Sequence, residues 1–232
     1  MKNTHSFQRM AGVTLVAASV LAVASLFVGL VGVDYNFDAF SGAEAILAAG
    51  AEAADYIRWS LILNLFGNYL LLTPAALLLW YWLRPHSPAF ADFYTLGGLL
   101  FIFIGGIASG VLAAVWPDTI SDYAAASAPQ RDVLGAVFLN FTRAMENGLQ
   151  GPVQNIPAAL WLLGMGTLLK NERRALGYLT LLFGFFMFLN SLGGLLNHES
   201  LSMIGFSGNF LLHPIWALWL GVDLLRNPAM DP

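Results

Sequence analysis

Apolar residues fall into six long runs that short polar stretches separate. A helix needs about 20 mostly apolar residues to cross a hydrocarbon core about 30 Å thick. The runs cover residues 11–33, 59–83, 93–115, 133–169, 176–197 and 201–225. This pattern predicts an all-α fold, a polytopic bundle of six transmembrane helices that forms one domain over residues 1–232.

The first run has one feature of a secretory signal peptide, because Lys2 and Arg9 precede it. However, its apolar core exceeds the roughly 7 to 15 residues of a signal core, and no convincing small-residue cleavage site follows. We therefore expect this run to be a retained membrane helix.

The segment between the first two runs, residues 41–59, is rich in alanine. Ser41 and Glu44 have the spacing of a capping box, and alanine favours a helix. We predict a short helix on the outer surface, which either caps the bundle or acts as a lid or docking element. Residues 116–132, before the fourth run, have the composition of an ordinary loop.

The composition excludes several classes of protein. Of 232 residues, 58% are hydrophobic and 10% are charged, whereas a soluble domain has about 25% charged residues. The net charge of −4 and the lack of any basic stretch argue against nucleic acid as a partner. With no cysteine, the chain has no disulfide, thiolate nucleophile or cysteine-ligated metal.

The distribution of lysine and arginine predicts the orientation, since cytoplasmic loops carry the excess of positive charge. If the N-terminus lies inside, seven cationic residues lie on the cytoplasmic side and two on the outer side. The seven are Lys2, Arg9, Arg84, Lys170, Arg173, Arg174 and Arg226, and the two are Arg58 and Arg131. We predict a multi-pass protein of the bacterial inner (plasma) membrane with both termini in the cytoplasm.

The third run has a face of small residues. Its members are Gly97, Gly98, Gly105, Gly106, Ser109 and Gly110. Such faces let helices approach closely, either inside one bundle or between subunits. Besides the lipid bilayer, a homo-oligomer or a larger membrane complex formed through this helix is therefore a candidate partner.

The fourth run begins with an unusually polar stretch, "NFTRAMENGLQGPVQN", residues 140–155. On an α-helix its polar side chains Arg143, Glu146, Asn147, Gln150 and Gln154 fall within an arc of about 100°. Arg143 and Glu146 have the i,i+3 spacing of an ion pair, which would lower the cost of placing both near lipid.

The depth of this stretch follows from Lys170, which should mark the cytoplasmic end of the run. About 20 helical residues back from Lys170 reach only Gln150, so Arg143 and Glu146 would lie at the outer rim. Four residues that could interrupt the helix are Gly148, Gly151, Pro152 and Pro157. We predict an outer helix, a kink within 151–157 and a crossing helix, as one kinked helix or two.

Polar side chains of other runs fall in the same outer half. The full candidate set is Asn64, Asn68, Arg143, Glu146, Asn147, Gln150, Gln154, Asn190, His198, Asn209 and His213. One interpretation is that these groups only satisfy one another inside the bundle. The other is that they line an outer-facing vestibule that binds a small or amphiphilic ligand, since intramembrane ionisable groups favour a functional role.

Other chemistry finds little support in the residues. His198 and His213 could ligate a haem or chlorophyll, but no attachment motif accompanies them. No spacing such as HExxH indicates a metal site, and no nucleophile, phosphate loop or dinucleotide motif indicates catalysis. We therefore expect that the protein is not an enzyme and that it has neither catalytic residues nor a metal site. Only the fourth run is visibly interrupted, whereas transporters with broken helices usually show a pair.

Four stretches resemble a known family in order and spacing. They are "QRMAGVTLVAASVLAVASLFVG", "YIRWSLILNLFGNYLLLTPAALLLWYWLRP", "LWLLGMGTLLKNERRALGYLTLLFGFFMFLNSLG" and "ALWLGVDLL". The chain resembles the bacterial membrane proteins grouped as domain-of-unknown-function 4386. The resemblance implies a six-helix membrane protein and no established activity. Members often carry a Glu six residues before the Trp of an LWL element, and counting from Trp219 places His213 there.

Two functions remain open on these grounds. The first is ligand binding in the vestibule, for sensing or transport. The alternative is a non-catalytic subunit of a larger membrane complex, one that could hold pigment or haem.

Because the chain has no cysteine, single introduced cysteines report the orientation without background. We expect Ala125→Cys to react with a membrane-impermeant thiol reagent added outside intact cells, since residue 125 precedes the fourth run on the predicted outer side. Asn171→Cys should react only once the cytoplasmic side is opened. Labelling of Ala125→Cys from the cytoplasmic side alone would contradict the predicted orientation.

Overall fold

The computed structural model describes residues 2–36 and 43–227, and within them all regular structure is helical. The α-helices are α1 (Lys2–Gly32), α2 (Ala43–Ala48), α3 (Ala53–Asn68), α4 (Thr73–Leu83), α5 (Pro88–Ala125), α6 (Ala128–Arg143), α7 (Gln154–Glu172), α8 (Arg174–Leu195) and α9 (Glu199–Arg226). A 3-10 turn, Leu70–Leu72, joins α3 to α4, and a π-helical segment, Ala144–Val153, joins α6 to α7.

Five helical stretches are long and apolar enough to cross a membrane. They are His5–Gly32, Ala53–Leu83, Pro88–Ala125, Arg174–Leu195 and Glu199–Arg226. The prediction of an all-α membrane protein is therefore confirmed at this level. Since α7 does not belong to this set, the count of six crossing helices stays a prediction.

The α7 helix supplies much of the apolar core. Its Trp161, Leu162 and Met165 are each at most 1% exposed. The Trp161 ring contacts Phe101 of α5 and Trp216 of α9, with ring centroids 6.3 and 5.8 Å apart. Because α7 packs against α5 and α8 as well, it ties together helices that are distant in sequence.

Polar contacts join the helices at the end of the bundle where the described chain begins and ends, which we call the terminal end. Gln8 donates a 2.7 Å hydrogen bond to the Leu224 carbonyl. The charged and histidine pairs at this end are Arg84–Asp92, His86–Glu172 and Arg173–Asp223. The start of α1, the α4–α5 turn, the α7–α8 junction and the end of α9 therefore meet at one end. We call the opposite end the α2 end.

The second apolar run is broken, although the sequence pattern predicts one continuous helix. α3 ends at Asn68, and Tyr69 has a non-helical conformation with φ −133° and ψ −76°. Pro74 lies in the first turn of α4 and has no N–H to donate to the preceding turn. This run therefore consists of two helices, α3 and α4, joined by the 3-10 turn.

The break in the fourth run lies at Gly151, within the predicted interval. Gly151 has non-helical dihedrals, φ −79° and ψ −119°, and Pro152 follows it. The residues before it, from Ala144, form a π-helical segment, a rare form that is frequent at functional sites. Pro157 is accommodated inside α7. Two helices, α6 and α7, therefore replace the single long run.

The α2 end is covered by α2 and α6. Leu47 of α2 is buried in a cluster with Trp116 and Phe138. The Trp116 indole donates a 3.1 Å hydrogen bond to the Thr142 hydroxyl, so α5 and α6 are held together there. Ser41, the predicted capping residue, lies outside the described residues.

The loop predicted over residues 116–132 is helical instead. α5 continues to Ala125 and α6 begins at Ala128. The Gln130 side chain accepts a 3.0 Å hydrogen bond from the Ser127 N–H, which satisfies a donor at the start of α6.

The small-residue face of α5 packs mainly inside the chain. A Cβ added at Gly97 would meet the Pro157 carbonyl oxygen at 2.8 Å, and one at Gly105 would overlap the Tyr69 ring. Gly110, in contrast, has nothing within 4 Å. An oligomer formed through this face stays a prediction. Because Gly97 and Gly105 already pack inside the chain, only part of the face, near Gly110, is open to another subunit.

We expect Gly98→Ala to destabilise the protein, because its Cβ would lie 2.6 Å from the Trp161 ring, which is 1% exposed. Overpacking of this kind costs about 1–3 kcal/mol, so the melting temperature in detergent should fall by several degrees. Gly110→Ala is the matched control on the same helix. It should leave the melting temperature unchanged or raise it, since alanine favours helix. Equal melting temperatures would contradict this packing.

Candidate ligand-binding cavity

The cavity forms because α1 and α9 pack together near the terminal end and separate towards the α2 end. A Cβ added at Gly221 would lie 2.9 Å from the Gly12 carbonyl oxygen, so the two backbones approach closely there. Further along, the Ser19 hydroxyl donates a 2.9 Å hydrogen bond to the Pro214 carbonyl. Past this contact the two helices follow different neighbours.

The remainder of α1 packs on α3, and the corresponding part of α9 packs on α8. The Ser25 hydroxyl donates a 2.8 Å hydrogen bond to the Ser60 carbonyl of α3. On the other side, Gly205 of α9 lies directly against the backbone of Asn190 in α8. The space between the two helix pairs is a cavity of about 620 Å³.

The wall formed by α1 and α9 is largely apolar. It includes Leu26, Phe206, Phe210, Leu211 and Ile215. The four from α9 are exposed, from 44% for Phe210 to 62% for Leu211. An apolar molecule could therefore lie against this wall without displacing a polar contact.

The polar side chains of the lining come mostly from other helices, although α9 also contributes two of them. Eight of the eleven residues predicted from sequence line the cavity: Asn64, Asn68, Glu146, Gln150, Gln154, Asn190, Asn209 and His213. They come from four separate parts of the chain, namely α3, the π-helical segment with the start of α7, α8 and α9. The fold thus brings these groups together, and their role in binding stays a prediction.

Arg143, Asn147 and His198 do not belong to the lining. Among the described residues Arg143 and Glu146 form no ion pair, so the predicted pairing is absent. The π-helical geometry that begins at Ala144 changes the angular spacing, and Glu146 reaches the cavity without Arg143. His198 instead caps α9, where its ring accepts a 3.3 Å hydrogen bond from the Leu201 N–H.

Tyr69 is the main lining residue that the sequence pattern did not single out. The Gln154 amide donates to its hydroxyl at 3.2 Å, and its ring occupies the space beside Gly105. The one local signal near it is Pro74, which interrupts a helical pattern but does not single out Tyr69. Asn155, Trp116, Ser25 and Ser60 also line the cavity.

The amides at the base of the cavity form a directed network. Asn68 donates to the Asn64 side-chain oxygen at 2.5 Å, and Asn64 donates to the Ser109 hydroxyl at 2.9 Å. Gln150 donates to the same hydroxyl at 3.2 Å. The amide nitrogens are thus turned towards protein acceptors, and the carbonyl oxygens of Asn68 and Gln150 keep free acceptor capacity.

Two buried polar atoms in the lining have no partner among the residues that the structure describes. They are Oε1 of Gln154 and Nε2 of His213, in side chains 5% and 4% exposed. The other ring nitrogen of His213 hydrogen-bonds the backbone of Gly67, whose carbonyl lies in the last turn of α3. With Nδ1 donating to that carbonyl, Nε2 of the neutral ring is an acceptor. An unpaired buried polar group costs about 1–3 kcal/mol, so a donor here would be stabilising.

Glu146 is the one Asp, Glu, Lys or Arg among the described residues of the lining. It lies in the π-helical segment, outside the five crossing stretches. Although its surface is open to the cavity, the protein atoms around its carboxyl raise the pKa to about 7 by desolvation. Within the described residues no group of three His, Asp or Glu side chains could hold a metal ion.

The fold and the site define an all-helical membrane protein with an amphipathic cavity at the α2 end. Comparisons with protein-family models, with curated proteins and with solved structures each found no match for this chain. The resemblance to the domain-of-unknown-function 4386 family therefore stays a prediction.

Cysteine substitution can test whether the cavity is hydrated and accessible. We expect a small water-soluble thiol reagent to modify Asn209→Cys about tenfold faster than a buried cysteine, because access controls thiol reactivity. Ser191→Cys is the matched control, since Ser191 is 2% exposed and donates to the Met187 carbonyl. Equal rates, measured by mass spectrometry, would contradict an open cavity.

Proposed function

We propose that this protein binds an amphiphilic molecule in the cavity between α1 and α9, for transport or sensing at the outer face of the membrane. The apolar wall suits a hydrocarbon chain, and the amide-rich wall suits a polar headgroup. A cavity of about 620 Å³ falls within the roughly 300–1,000 Å³ range of small-molecule sites.

The unpartnered acceptors of Gln154 and His213 carry this proposal. Buried polar groups are nearly always hydrogen-bonded, and these two line the same cavity without a protein partner. Asn64, Asn68 and Ser109 pair with one another, whereas these two buried acceptors lack such a partner among the described residues and are left for a ligand.

The orientation that we propose places the α2 end outside the cytoplasm. Its support is the excess of Lys and Arg at the terminal end. We also propose that α7 is the sixth crossing helix, since its 19 residues span about 28 Å at 1.5 Å per residue. With six crossings, successive helices run in opposite directions, so each crossing starts or finishes at the terminal end. The polar contacts between helices at that end agree with this arrangement.

The apolar mouth between α1 and α9 supports access from the lipid. Phe206 and Leu211 are more than half exposed on the rim, and a membrane would place hydrocarbon against them. An amphiphile of the outer leaflet could then move its headgroup sideways into the polar part of the cavity, with its chain still in contact with lipid.

Two helix breaks at the cavity favour transport over sensing. Transporters commonly place discontinuous helices in pairs at the substrate site. Here the break at Gly151, which the sequence predicts, is accompanied by a second break at Tyr69. The two breaks lie on separate segments that we propose cross the membrane, so they form a pair of this kind. Their neighbours Gln154 and Asn68 line the cavity.

A pigment-holding subunit of a larger complex is the second candidate function. The free Nε2 of His213 favours it, because an unpartnered imidazole nitrogen is a suitable axial ligand. A purified protein with a visible absorption band that His213→Ala removes would favour this candidate over the first.

We expect Leu26→Trp to weaken ligand binding, because Leu26 lines the cavity and the larger ring takes up part of the space between α1 and α9. The measurement is the rise in melting temperature that single-chain alkyl amphiphiles cause, using matched chains with ammonium, phosphate and uncharged headgroups. A ligand at 100 times its Kd stabilises the folded state by about 2.7 kcal/mol.

Phe27→Trp serves as the matched control for this experiment. Phe27 is the next residue on α1, is 56% exposed and does not belong to the lining. It should behave as the wild type. The proposal fails if no headgroup class stabilises the wild-type protein, or if both tryptophan variants respond equally.

A further inference from the structure

The polar part of the cavity offers a carboxylate and mainly hydrogen-bond acceptors, and these groups indicate which headgroup the site accepts. We propose that the site binds a cationic amphiphile, a single-chain molecule with a primary ammonium headgroup. This inference rests on the proposed function and names its ligand class. Three features of the lining favour this class: its charge, the donor or acceptor character of its polar groups, and Glu146, which has no cationic partner among the described residues.

Among the lining residues that the structure describes, Glu146 alone carries a carboxylate or a cationic group. No Lys or Arg belongs to the described residues that line the cavity, and Arg143 lies outside it. A phosphate or carboxylate headgroup would therefore meet a carboxylate and no compensating cation. Burying a charge is costly unless it is paired, so an anion is disfavoured and an ammonium ion is favoured.

The hydrogen-bonding groups have the same bias. Oε1 of Gln154 and Nε2 of His213 are buried acceptors that no other described residue contacts with a donor. Asn64, Asn68 and Gln150 direct their amide nitrogens to protein acceptors, which leaves the oxygens of Asn68 and Gln150 for a ligand. An ammonium group has three donors and no acceptor, and it matches a site that offers mainly acceptors.

Glu146 itself lacks a cation among the described residues. The desolvation that raises the pKa of its carboxyl to about 7 is the expected result for a carboxylate without a counter-charge. An ammonium ion in the cavity would supply that charge. Glu146 would then be the residue that selects for positive headgroups.

The test compares dodecylammonium, dodecyl phosphate and dodecanol as probes for the full-length protein in nanodiscs of zwitterionic lipid, with partition into empty discs subtracted. We expect the wild-type protein to bind dodecylammonium at least about tenfold more tightly than dodecyl phosphate, since one pKa unit of differential interaction corresponds to a factor of ten. Glu146→Gln should remove this preference.

Glu199→Gln is the matched control, because Glu199 is an exposed carboxylate at the same end of the bundle and does not line the cavity. At about pH 8, where the carboxyl of Glu146 is charged, Glu199→Gln lowers the negative charge by nearly the same amount and should keep the wild-type preference. A loss of preference in both variants would assign the effect to surface charge and would overturn the inference.

The pH dependence gives a second, independent readout. The carboxyl of Glu146 is protonated below its pKa of about 7 and charged above it, so dodecylammonium should bind about tenfold more tightly at about pH 8 than at about pH 6. The elements packed against its segment are α5, α6, α7 and α8. Of these, α6 ends at the exposed Arg143, and α5, α7 and α8 add no ionisable side chain to the lining. Tyr69 and His213 are the other titratable groups there.

Glu146→Gln should abolish this dependence, while Glu199→Gln should retain it. Binding of dodecanol or dodecyl phosphate equal to that of dodecylammonium, or a pH profile that survives Glu146→Gln, would overturn the ammonium class and leave the proposed cavity function standing. Failure of all three probes to bind would overturn both.

Discussion

The hydrogen bond that Gln154 donates to the Tyr69 hydroxyl joins the two places where the helices of this bundle break. Backbone groups that leave a helical pattern need hydrogen-bond partners from the protein or from water, because an unpaired buried polar group is costly. Both breaks, at Tyr69 and Gly151, therefore lie against the interior, and amide side chains gather around them. The cavity and the polar network follow from that constraint.

Helix packing around these breaks depends on where side chains are small. Gly12 and Gly221 let α1 and α9 approach at the terminal end, and Gly205 holds the far part of α9 on α8. Two different neighbours thus draw α1 and α9 apart, so the cleft between them needs no irregular backbone of its own. One wall of the cleft remains apolar, and the other contains the amides that the breaks require.

The electrostatics of the site depend on the same geometry. Ion pairs at the terminal end, such as Arg173 with Asp223, satisfy charges between adjoining helices. Within the described part of the chain Glu146 has no such partner, because the π-helical segment directs it into the cavity while Arg143 remains outside. A carboxylate and several free acceptors consequently face one space, which suits a ligand with positive charge and hydrogen-bond donors.

The sequence by itself determined the class of protein, since runs of about 20 apolar residues with few charges have one stable arrangement in lipid. It also located the break near Gly151 and Pro152 and most of the polar residues that share the cavity, because glycine, proline and buried amides carry their constraints locally. Only the tertiary structure decided that Tyr69 interrupts the second run, that Arg143 and Glu146 separate, and that α1 and α9 diverge. Those outcomes depend on contacts such as Gly105 with Tyr69 and Gly12 with Gly221, between residues far apart in the chain, and no local pattern encodes such contacts.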